Sequence, residues 1–92
     1  MHNSFLPIGS VVLLKNSTKR LMVVALCQED DNGNAWQYAG CPFPEGIKDS
    51  KSFYLFNDEQ ISKVFFAGYC DDDQIYFLNR IEAGWKKYYE KK

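Results

Sequence analysis

Ninety-two residues make one domain and leave no room for two. A formal net charge of −1, from eleven Lys plus Arg against twelve Asp plus Glu, argues against a nucleic-acid binder, whose domains usually carry a basic excess. Aromatic residues make up 16% of the chain, more than one small core uses, so part of that surface is expected to face a partner protein.

Residues 1–8 lack the basic start and apolar centre of a signal peptide, and no apolar run approaches the length of a membrane span. Ser10–Lys15 then predicts a strand, introduced by Pro7 and Gly9. Asn16–Lys19 predicts a turn and Arg20–Gln28 a second strand, whose unbroken apolar run implies burial on both faces or a bend. Glu29–Asn34 is a turn containing the hairpin signal Asn32-Gly33. Ala35–Gly40 follows as a strand that places Trp36 and Tyr38 on one face. In Cys41-Pro42-Phe43-Pro44-Glu45-Gly46, two prolines hold the backbone extended around one Phe.

Ser52–Phe56 and Ser62–Gly68 predict two more strands, separated by a turn at Asn57–Gln60. The last segment changes period. Asp71 suits an N-cap, with Gln74 three residues on, and Ile75, Leu78, Ile81, Trp85 and Tyr88 or Tyr89 recur at helical spacing. Gly84 weakens that helix by about 1 kcal/mol relative to Ala, so a kink or fraying is expected after it.

The expected fold is mainly β with one C-terminal helix, an α+β domain over residues 1–92, with the sheet at about 9–69 and the helix at about 71–90. Five short strands leave apolar faces and edges to cover. A small SH3-like, partly open barrel packed by the helix is therefore favoured over a bent antiparallel sheet.

The sequence predicts no catalytic residue, metal or cofactor. Its single His is His2, which removes core nucleophile pairs with Cys or Ser. Cys27, Cys41 and Cys70 have neither zinc-ligand spacing nor an even count for a disulfide framework, and so read as free thiols of a reduced, cytoplasmic protein. Asp71-Asp72-Asp73 lacks the alternating ligands and closing Glu of a calcium loop and reads as a helix start. Lys86, Lys87, Lys91 and Lys92 read as a solvated helix end. The residues expected to meet a protein partner are Trp36, Tyr38, Pro42, Phe43, Pro44, Tyr54 and Phe66. Phe43 is either an interface anchor, stiffened by its two prolines, or a plug for the barrel end.

Three stretches carry a family likeness: Leu6–Val12 with Leu14-Lys15, then Tyr38–Gly46, then Phe56-Asn57 through Ile61, Val64, Phe66, Gly68 and Tyr69. Together they resemble the family known as domain of unknown function 4176, small proteins of Gram-positive bacteria, over about Leu6 to Phe77. The run Gly40-Cys41-Pro42-Phe43-Pro44-Glu45-Gly46 is the most specific part of the likeness. The chain departs from the family at Asn16-Ser17, where glycine is common, and at Ala25-Leu26. Genes of this family often lie beside those for type VII secretion effectors with an N-terminal LXG domain and their small helical partners. The resemblance therefore implies a non-enzymatic chaperone or targeting factor that binds such an effector, its helical accessory proteins, or both. It is expected as a monomer or weak homodimer without a membrane span. The alternatives are an immunity protein for the toxin domain and a small-barrel nucleic-acid-binding module.

Overall fold

A computed structural model describes residues 5–90, with side chains to Tyr88. His2, Lys91 and Lys92, and the side chain of Tyr89, fall outside the described set. Five strands form one antiparallel sheet: β1 (Val11–Leu14), β2 (Arg20–Glu29), β3 (Ala35–Pro42), β4 (Tyr54–Phe56) and β5 (Ile61–Phe66), followed by helix α1 (Asp72–Glu90). Short 3-10 turns at Ser50–Ser52 and Asp58–Gln60 flank β4.

The strand order is β4-β3-β2-β1-β5. No ladder joins β4 to β5, so the sheet is open and the SH3-like barrel is replaced by the antiparallel-sheet alternative. The physical reason lies in what covers the apolar face. Phe5, Leu6 and Leu78 pack there with Val12, Leu21, Val23, Leu26, Tyr38 and Phe56, so a helix and an N-terminal segment bury what barrel closure would have buried.

The apolar run of β2 is explained by a bulge. Val23 pairs with Gly40 and Ala25 with Ala39, which leaves Val24 as the extra residue. The bulge carries the core-facing set from Leu21 and Val23 to Leu26, and β2 therefore uses apolar residues on both faces. Three residues later Cys27 takes a left-handed φ of 53°, uncommon for a side chain of its type.

Helix α1 starts as its sequence predicts, with Asp71 Oδ1 accepting from the Gln74 N–H at 3.0 Å. It runs as one helix through Gly84 to Glu90. Leu78, Ile81 and Trp85 face the core, and the Trp85 ring meets Phe5 edge-on with centroids 5.8 Å apart. Ile75, expected on the same face, sits at its margin and is about half exposed beside Pro7, Ala67 and Cys70.

The link between β5 and α1 is clasped to the chain before β1. Ser10 is fully buried; its hydroxyl donates to Pro7 O at 2.8 Å and accepts from the Gly68 N–H at 3.0 Å. A Cβ at position 68 would lie 2.1 Å from Ile8 O, so only glycine fits this contact.

Candidate functional site

The residues expected to form one binding patch are separated by the sheet. Tyr38 is a correction: it is fully buried and cannot meet a partner. Its ring stacks on Phe56 with centroids 5.3 Å apart, and its hydroxyl accepts from the Leu6 N–H at 2.9 Å and donates to Asp58 Oδ1 at 3.4 Å. Burial pushes the Tyr38 phenol far above its usual range, so it stays protonated. Period-two alternation cannot tell which face of β3 is core.

Trp36 is half-buried, and its indole N–H donates to Asp30 Oδ2 at 3.0 Å. That bond leads the causes that hold the Asp30 carboxyl below the usual aspartate range, followed by the Asn34 backbone N–H. Trp36 thus fastens the β2–β3 loop. Pro42 lies six residues along β3, roughly 20 Å away at strand rise. Phe43 is half-buried with the Arg20 guanidinium 5.1 Å from its ring centroid, and the Phe43-Pro44 peptide is cis. Pro44 is exposed and Pro42 half-buried, with Pro42 paired to Leu21 in the ladder. Tyr54 is exposed on edge strand β4, opposite Gly40.

Phe66 is exposed at the other edge of the sheet, four strand spacings or roughly 19 Å from β4. It belongs to a larger group than the sequence reading gave it. Phe65, Phe66, Tyr69, Ile75, Tyr76 and Phe77 are all exposed, with Phe66 at 60%, Tyr69 at 78% and Tyr76 at 66%. They run from the end of β5, across the clasped link, into the first turns of α1. Lys63 Nζ lies 4.8 Å from the Phe65 ring centroid and the Arg80 guanidinium 5.8 Å from that of Tyr76.

Two signals pointed to this group. Phe65 and Phe66 are consecutive on a strand, so one must leave the core face. On a helical wheel, Tyr76 falls opposite Leu78, Ile81 and Trp85. Five aromatic rings within thirteen residues, Phe65 to Phe77, are thus left exposed.

The carboxylates do structural work. Asp30, Asp49 and Asp71 accept backbone N–H groups in turns and caps, and Asp58 takes the Tyr38 hydroxyl. Glu45 is lowered chiefly by its hydrogen bond from Lys19. Burial raises the half-buried Cys27 thiol. Among the described residues no group of three His, Cys, Asp or Glu side chains is placed to hold a metal ion, and no helix is long and apolar enough to cross a membrane.

The family described as Domain of unknown function (DUF4176) matches residues 5–77, most of the chain. The chain belongs to this family. No curated protein and no solved structure matches it. The matched residues span the whole sheet, the clasp and the first turns of α1, so the exposed aromatics lie within the family's own domain.

Proposed function

We propose that this family member is a non-enzymatic, cytoplasmic accessory factor that binds a protein partner through the exposed aromatics of the β5–α1 side. The observation that carries the reading is the run Phe65, Phe66, Tyr69, Tyr76 and Phe77, open to solvent on a backbone clasped by Ser10 and Gly68. Aromatic anchors on a fixed support lose little entropy on binding, which is the property of interface hot spots.

The partner we propose is an LXG effector of type VII secretion, held by this chain as a chaperone or targeting factor before export. Titration of the purified protein with the separated LXG region and toxin domain of an LXG effector tests this. Binding to the LXG region, weakened at least tenfold by a Phe66→Ala/Tyr69→Ala double substitution, supports the reading. Binding confined to the toxin domain replaces it with an immunity role.

A further inference from the structure

We infer that two copies of this chain pair through an antiparallel, twofold contact of α1, in which Tyr76 of each copy enters the cavity beside Gly84 of the other. The inference goes beyond the partner binding proposed above and divides the exposed aromatics. Tyr76 and Phe77 meet the second copy, while Phe65, Phe66 and Tyr69 stay open to the partner.

Asp73, Tyr76, Phe77, Arg80, Gly84 and Lys87 recur at three-, four- and seven-residue spacing, so they share one face of α1. All six are exposed, while Leu78, Ile81 and Trp85 turn to the core. The face is uneven along its length. Its first half carries two large rings, with Tyr76 66% and Phe77 46% exposed. Its second half carries Ala83 and Gly84. Beside Gly84 lies a cavity of about 270 Å³, lined by Ile81 and Trp85 of α1 and by Cys27 and Ala35 of the β2–β3 hairpin. A Cβ on Gly84 would meet nothing within 4 Å, and alanine there would favour the helix, so nothing inside the chain calls for glycine. What glycine provides is a close approach to the helix backbone for a group from outside.

A tyrosine ring suits this opening. An engineered cavity of about 150 Å³ holds benzene, and Gln28 and Glu29 at the same cavity supply acceptors for a hydroxyl. Tyr76 lies roughly 12 Å along the helix from Gly84. An antiparallel pairing about a twofold axis at Arg80 puts each Tyr76 against the other copy's Gly84 at the same time. The same register sets Phe77 opposite Ala83 and Asp73 opposite Lys87. Charge fits this direction. Asp72 and Asp73 open the helix and Lys86 and Lys87 close it, so each acidic end meets a basic end, whereas a parallel pair would set like ends together. Arg80, on the axis, leans back toward its own Tyr76, with the guanidinium 5.8 Å from that ring's centroid, which parts the two like charges. One helix face is smaller than the standard interface of about 1,600 Å², so a micromolar dimer is expected.

Sedimentation equilibrium of the full chain from about 1 μM to about 1 mM should show the mass rising toward that of a dimer. Gly84→Leu fills the cavity and should weaken dimerisation by about tenfold or more, while dilute protein melts no earlier than the parent. Asp73→Lys and Lys87→Asp should each fail to dimerise alone. An equimolar mixture of the two should associate, because the heterodimer re-forms both cross-helix pairs. That recovery also shows that both variants are folded. A parent chain that stays monomeric at about 1 mM overturns the inference. So does a dimer that Gly84→Leu leaves intact, or a mixture of the charge variants that does not associate.

The two proposals fail separately. Phe66→Ala/Tyr69→Ala should leave the dimer intact, and Gly84→Leu should leave effector binding intact. An effector that does not bind removes the accessory role and leaves the dimer. A Gly84→Leu chain that loses the effector, where the parent is monomeric, gives this face of α1 to the partner and overturns self-pairing.

Discussion

Substituting Gly68 by Ala places a methyl carbon 2.1 Å from Ile8 O, 2.9 Å from the Ile8 carbonyl carbon and 3.0 Å from Ser10 N. All three are backbone atoms, so no side-chain rotation relieves the clash and one of the two segments must retreat. Retreat breaks the bond from the Gly68 N–H to Ser10 Oγ and loosens the chain that carries Phe5 and Leu6 into the core. An unsatisfied buried donor costs about 1–3 kcal/mol and overpacking about 1–3 kcal/mol, so a loss of about 3 kcal/mol is expected. For a domain of this size that lowers the melting temperature by about 12–24 °C. Urea unfolding followed by Trp fluorescence measures it, with Gly84→Ala as the matched control. A Cβ at position 84 meets nothing within 4 Å, so that change should stabilise the helix by about 1 kcal/mol. A Gly68→Ala protein within about 0.5 kcal/mol of the parent would refute the clasp.

Tyr38→Phe should cost about 1–3 kcal/mol, because the buried Leu6 N–H loses its acceptor; equilibrium unfolding should show this without a change in denaturant slope. Asp30 has its carboxyl pKa lowered in the fold, so its contribution is complete above the ordinary aspartate range and disappears as pH falls through the lowered value. Trp36 fluorescence should follow that transition, and Asp30→Asn should abolish it. All three thiols are free, and alkylation of the native protein should modify exposed Cys70 first, half-buried Cys27 more slowly and buried Cys41 last; equal rates would contradict the packing. Deleting residues 71–92 removes Leu78, Ile81 and Trp85 from the core and should abolish cooperative unfolding, as read by calorimetry.

Local signals in the sequence located all five strands and the helix, because each was marked by its own chemistry. Asp71 capped α1, the period changed after it, and turn residues separated the strands. What covers the sheet was harder to read. Phe5 and Leu6 become core residues only because Tyr38 and Trp85, far along the chain, come to meet them. The same dependence on distant partners misplaced Tyr38 on a surface and scattered the expected patch. Trp36 and Phe43 lie at opposite ends of β3, and Tyr54 and Phe66 lie on opposite edges. Phe66 was legible as exposed, whereas the exposure of Tyr69, Tyr76 and Phe77 depends on which face of α1 and of the link after β5 is packed inward.

The pairing of β1 with β5 also has a consequence for biosynthesis. Val12 lies opposite Val64, and Ser10 holds Gly68, so β1 meets its final neighbour more than fifty residues after it is made. At roughly 5–20 residues per second, a ribosome takes about 3–10 s to supply those residues. During that interval the β1–β2–β3 meander can form from local contacts, while the side of β1 destined for β5 stays unoccupied. A nascent chain of this protein therefore carries its own temporary open edge, which β5 later covers by extending the sheet.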